Sequence, residues 1–178
     1  RARSLDPLSP IINARVGSLL IFLRRFAEAE TELRKVVAEN PSNLFARSDF
    51  GVALAAQGKF DEAFSQFPDV IDANTGDGAG SLAWAEALAG KPDKARSILN
   101  RMEARAKERY LDPLAMAIAA TAAGDKPLAL NYIEEGLREH SVYLVFLKSD
   151  LKFDALRNEP RFQRVLREVE TKYATSVH

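Results

Sequence analysis

Small residues punctuate the apolar stretches of this chain at a fixed spacing. Gly17, Gly51, Ala83 and Ala117 recur at steps of 34, 32 and 34 residues, and each is followed twelve positions on by an alanine, Ala29, Ala63, Ala95 and Ala129. Around each pair the apolar positions fall at helical spacing. Val16, Gly17 and Leu20 share one stripe, and Phe26, Ala29, Leu33 and Val36 share the next. Phe50, Gly51 and Leu54 with Phe60, Ala63, Phe67 and Val70 repeat it, as do Leu82 and Ala83 with Ala95, Leu99 and Met102. Met116 and Ala117 with Ala129, Ile133 and, weakly, Gly136 close the series. The pattern predicts pairs of helices whose backbones approach closely at the small residues. Repetition at this period is the mark of stacked helical hairpins.

Turn chemistry agrees with the pattern. Gly58, Gly90 and Gly124 stand where the first helix of a pair should end, a place that favours the left-handed conformation. The first unit has Arg24 there instead. Asp61, Asp93 and Asp125 follow as N-caps or first-turn acids of the second helices. In unit two, Pro68 is expected to kink or shorten the second helix, and Asn74 to Gly80 to loosen the junction that follows.

In these units Asn13-x2-Val16-Gly17-x2-Leu20, then Ala29-x3-Leu33, then Pro41 resembles the tetratricopeptide repeat pattern, and Arg47-x2-Phe50-Gly51-x2-Leu54 with Ala63-x3-Phe67 does so again. The resemblance implies an all-α fold, a right-handed superhelical α-solenoid of about four hairpins plus a C-terminal capping helix. It divides the chain into the end of a preceding repeat (1–9), four units (10–43, 44–75, 76–109 and 110–140) and a C-terminal closure (141–178). Within that closure the last helix is expected from about Glu159 to Tyr173, with Phe162, Val165, Leu166 and Val169 on its apolar face. Leu144 to Lys148 and Phe153 to Phe162 are similar to the closing segment of bacterial multidomain signalling proteins, where the repeats follow a kinase, winged-helix or cyclase domain. The chain opens on Arg1 rather than Met and is expected to be cut from a longer protein.

The family also implies which positions line the concave groove. They include Arg15, Ser18, Phe22, Phe45, Asp49, Val52, Trp84, Leu88, Leu114 and Ile118. This wall lacks the Lys, Asn and Arg set with which some relatives clamp a carboxylate. It suits a peptide, a helix or a second copy of the chain, in a scaffolding or regulatory role. Self-occupation of the groove by the C-terminal segment is the competing expectation, and a chaperone shielding apolar segments is the alternative function.

Composition narrows the chemistry. There is no cysteine, and the two histidines are His140 and the terminal His178. Thiolate chemistry, Cys-based zinc sites and a Ser–His–Asp set are therefore not expected, and no catalytic, cofactor or metal residues are assigned. Gly76, Gly78 and Gly80 lack the strand-turn-helix setting of a phosphate loop. Residues 1–89 carry nine basic and twelve acidic groups and residues 90–178 sixteen and thirteen, so neither half is a polyanion footprint and nucleic acid is not an expected partner. No apolar run is long enough to span a bilayer. A cysteine-free chain suits a reduced cytosol, the favoured compartment, and an oxidising periplasm alike.

Overall fold

The computed structural model describes residues 10–67 and 76–174, and among them there is no strand: the protein is all-α. The elements are α1 (Pro10–Phe22), α2 (Phe26–Glu39), α3 (Leu44–Ala55), α4 (Phe60–Phe64), α5 (Asp77–Leu88), α6 (Pro92–Ala106), α7 (Pro113–Ala122) and α8 (Lys126–Arg138). Two short 3-10 helices follow, η1 (Val142–Phe146) and η2 (Leu151–Leu156), and then α9 (Pro160–Ala174).

Two kinds of helix alternate. In α3 every residue from Phe50 to Ala55 is buried, and in α7 every residue from Pro113 to Ala120 is. Helices apolar on all sides must be covered on all sides. Accordingly α1, α3, α5 and α7 pack in a row, each against the next. The helices α2, α6 and α8 instead bury one stripe: Ala29, Leu33 and Val36; Ala95, Ile98, Leu99 and Met102; Ala129, Leu130, Ile133 and Gly136. Each packs against the buried helix before it, and α2 and α6 also touch the buried helix after them.

The small residues permit this closeness. A Cβ added at Gly17 would overlap the Leu33 side chain, and one at Gly51 would overlap the ring of Phe67. The two stripe positions named from the pattern thus meet their own glycine partners. Gly58, Gly90 and Gly124 have φ near +76°, and Arg24, at the same place in the first pair, adopts φ +61°. The turn therefore keeps its geometry without glycine, at a backbone cost of about 1 kcal/mol.

Unit two departs from its neighbours. Its second helix, α4, spans only five residues, and Phe67 is buried beyond its end. The helix stops before Pro68, which cannot continue the hydrogen-bond ladder and disfavours helix in the residue ahead of it. Pro68 itself, Val70 and the junction through Thr75 lie outside the described residues, as do Arg1 to Ser9 and Thr175 to His178.

The end of the chain is built by caps. Asp112 accepts from Leu114 N at 2.8 Å to start α7 and from Ser141 Oγ at 2.8 Å, tying the start of η1 to the start of α7. Asp150 accepts from Lys152 N at 2.9 Å to start η2, which packs on α7. α9 then lies against α8 with Phe162, Val165, Leu166 and Val169 buried, the four residues of its expected apolar face. The Arg161–Glu134 pair at 2.8 Å fixes that contact at its rim.

Candidate functional site

The row of buried helices presents one end of α1, α3 and α7 to the C-terminal segment, and the two surfaces enclose a cavity of about 210 Å³. From α1 come Arg15, Ser18, Leu19 and Phe22, from α3 Phe45, Ser48 and Asp49, and from α7 Leu114, Ala115 and Ile118. Opposite them stand Tyr143 and Phe146 of η1, Asp150 at its exit, and Lys152 and Phe153 of η2. Mostly apolar walls around a few polar groups are the usual make-up of a ligand pocket.

Two contacts hold the C-terminal segment against the first helix pair. The rings of Phe22 and Phe146 stack with centroids 4.8 Å apart. The guanidinium of Arg24 grips the Asp154 carboxylate with two bonds of 2.8 Å. That carboxylate is held below its ordinary range because hydrogen bonds from Arg24 and Arg157 outweigh the burial that pushes it up. The residue that replaces a turn glycine is thus also the residue that reaches 130 positions along the chain.

The polar floor has an unusual charge pattern. Lys152 Nζ lies 3.0 Å from Asp150 Oδ2, and both side chains are about nine-tenths covered. That pair neutralises itself. Asp49 has no such partner. Its carboxylate receives a short hydrogen bond from Ser18 Oγ, and no ion pair to it forms among the described residues. Burial raises its pKa to about 6, against the opposing pull of Ser18, Lys152 and Arg15. The charge of Arg15 sits at the exposed mouth, where its guanidinium lies 4.4 Å over the Phe45 ring.

A second hollow, of about 380 Å³, shares Lys152 with the first and is lined by Trp84, Ala87 and Leu88 of α5 with Arg24, Leu151 and Asp154. The ten groove positions named from the sequence therefore separate. Arg15, Ser18, Phe22, Phe45, Asp49, Leu114 and Ile118 meet around the first cavity, and Trp84 and Leu88 line the second. Val52 lies in the core, 1% exposed, because α3 is covered by neighbours on every side.

Occupation of the groove by the C-terminal segment was the competing expectation, and the structure sets that segment across from the helix row, but none of its lining residues was named as such from the sequence. Tyr143, Phe146, Asp150, Lys152 and Phe153 come from short 3-10 turns with no repeat rhythm. Their one visible mark is the run of aromatic residues broken by Ser149-Asp150, a turn start. Among the described residues no group of three or more His, Asp or Glu could hold a metal ion, and no helix is long and apolar enough to cross a membrane. No family model matches the chain, no curated protein matches it, and no solved structure does.

Proposed function

We propose that this chain is a protein-interaction module of the tetratricopeptide-repeat kind, a right-handed superhelical stack of four helical hairpins with a capping helix. It binds an anchor group of a protein or peptide partner on its inner wall. The 34-residue step, the glycine and alanine contacts between paired helices and the left-handed turn residues support the repeat reading. One observation carries the binding reading: seven residues named from repeat position alone gather around one largely apolar cavity. A surface that served only to pack would have no reason to leave a space there.

The C-terminal segment narrows what enters. Because η1 and η2 stand across the wall, the free space is a chamber rather than an open trough. It suits one anchoring side chain of a scaffolding or regulatory partner better than the long apolar stretches that a chaperone would cover.

Selection of a displayed peptide library on the intact protein tests this. Enriched peptides should share an anchor residue and lose about tenfold in affinity on Phe45→Ser, a change worth roughly 1.4 kcal/mol. Helicity should be unchanged, since Phe45 is 40% exposed. Undiminished binding to Phe45→Ser, or no enrichment at all, contradicts the reading. Trp84→Ser in parallel reports whether the second hollow takes part.

A further inference from the structure

We infer that the cavity between α1, α3, α7 and the C-terminal segment is a binding site for a primary ammonium group on a small apolar body. Asp49 holds the charge and the phenylalanine rings surround the body. This rests on the interaction reading above only for the idea that the cavity is filled by something. The chemistry of the occupant is argued from the cavity itself.

The first consideration is charge. Asp49 is half-buried, and a carboxylate drawn even partly out of water is costly to leave without a cationic partner. The lining holds two carboxylates and two cations, but Lys152 is bonded to Asp150, so the pairing leaves Asp49 without a partner at ion-pair distance. Ser18 supplies a hydroxyl to Asp49 but no charge. Arg15 does not approach to ion-pair distance and is directed over Phe45 at the mouth. A bound ammonium supplies the missing ion-pair partner.

The walls point the same way. Phe22, Phe45, Phe146 and Phe153, with Tyr143, line the space. The face of an aromatic ring carries partial negative charge and attracts cations. A carboxylate beside aromatic rings favours an ammonium over a neutral or anionic group of the same shape. Ser48 and Ser81 also line the cavity and offer hydroxyls to the remaining ammonium hydrogens.

Size sets the rest. A cavity of 150 Å³ admits benzene, and this one is about 210 Å³. It therefore has room for a ring or short alkyl body with an aminomethyl or aminoethyl head. Such a group comes from a free amine or from the lysine side chain of a peptide, and the two share the same recognition.

Calorimetric titration of the intact protein with 2-phenylethylamine at pH 7.5 is the first arm. The isosteric neutral 2-phenylethanol and the anion 3-phenylpropionate are the controls. The amine should bind about tenfold or more tightly than either control, and Asp49→Asn, with unchanged helicity and a cooperative melt no lower than that of the parent protein, should remove about tenfold. Phe146→Leu should weaken the amine severalfold and leave the alcohol unaffected. In the second arm N-acetyl-lysine-phenylalanine amide is compared with its Nε-acetylated form. Preference for the charged peptide over the free amine assigns the occupant to a protein partner, and the reverse assigns it to a metabolite-sized ligand. Both outcomes support an ammonium site. Equal binding of amine, alcohol and carboxylate, amine binding untouched by Asp49→Asn, or no ammonium binding in either arm overturns it. Peptides selected by display that depend on Phe45 but lack any ammonium would sink this inference and leave the interaction reading standing.

Discussion

Glu30 and Asp49 are both half-buried acids on helices of the first two pairs, and their carboxyls are driven in opposite directions. Glu30 sits on the seam between α2 and the turn after α3. Lys59 Nζ reaches it at 2.6 Å, Arg34 at 2.9 Å and Gln57 at 2.8 Å, and these donors bring its pKa down to about 2. Asp49 faces the cavity with a single hydroxyl, and burial takes its pKa up to about 6. The same functional group is saturated in one region and left hungry in the other. A saturated carboxylate holds the fold together. An unsaturated one beside open space is arranged for something that is not part of the chain.

The largest expected effect is on pH dependence. The folded Asp49 carboxyl takes up its proton near pH 6 and the unfolded one near its ordinary 3.8. Its ionisation therefore destabilises the fold above about pH 6, and that penalty is relieved as pH falls from 6 towards 3.8. A shift of two units corresponds to roughly 3 kcal/mol before allowance for solvent at the cavity mouth. The charged groups facing it are Arg15, Asp150 and Lys152. Glu30 works in the other sense: its stabilisation is present above pH 4.5 and is lost as pH falls through about 2. Urea unfolding from pH 7.5 to 3 should show stability rising to a maximum near pH 4 and then falling. In Asp49→Asn the rise should vanish and the acid-side fall remain. A rise that persists in Asp49→Asn would break the contrast.

Next in size is the exchange of roles at neutral pH. Glu30→Ala should lower stability by about 1–2 kcal/mol, since it strips the shared acceptor from Lys59, Arg34 and Gln57, although the two cations are about half exposed. Asp49→Asn should raise it by about 1 kcal/mol. Destabilisation by both substitutions would mean that the two sites are structurally alike.

The smallest effect sharpens the picture of how the cavity is closed. Arg24→Gly removes an exposed ion pair worth less than about 1 kcal/mol and relieves a left-handed arginine of similar cost, so global stability should hardly change. The amides of Leu151–Leu156 should nonetheless exchange faster with solvent, because η2 loses its tie to the first helix pair. Unchanged exchange there would mean that the Phe22–Phe146 stack alone holds the segment in place.

What the sequence revealed and what it hid divides along the same line. Stripes such as Ala29, Leu33 and Val36 were legible because helix packing imposes a regular spacing on the residues it buries. Gly17 and Gly51 were legible because close approach tolerates little else. The left-handed Arg24 was marked only as a missing glycine, since its reason, Asp154, lies 130 residues away. The segment that forms η1 and η2 was expected near the groove as the competing reading, but which of its residues face the cavity was not legible, because 3-10 turns impose no period on their side chains. The family resemblance put Asp49 among the expected groove positions. Nothing local could say that Lys152 would arrive beside it already paired to Asp150.

The most direct test of the central claim, that Asp49 is a half-buried charge without an ion-pair partner, awaiting a cation, is an NMR titration of its side-chain carboxyl carbon, with and without saturating 2-phenylethylamine. The account expects a midpoint near 6 in the free protein and a fall of about one unit or more when the amine is bound. A midpoint near the ordinary aspartate value, unmoved by the amine, would contradict it.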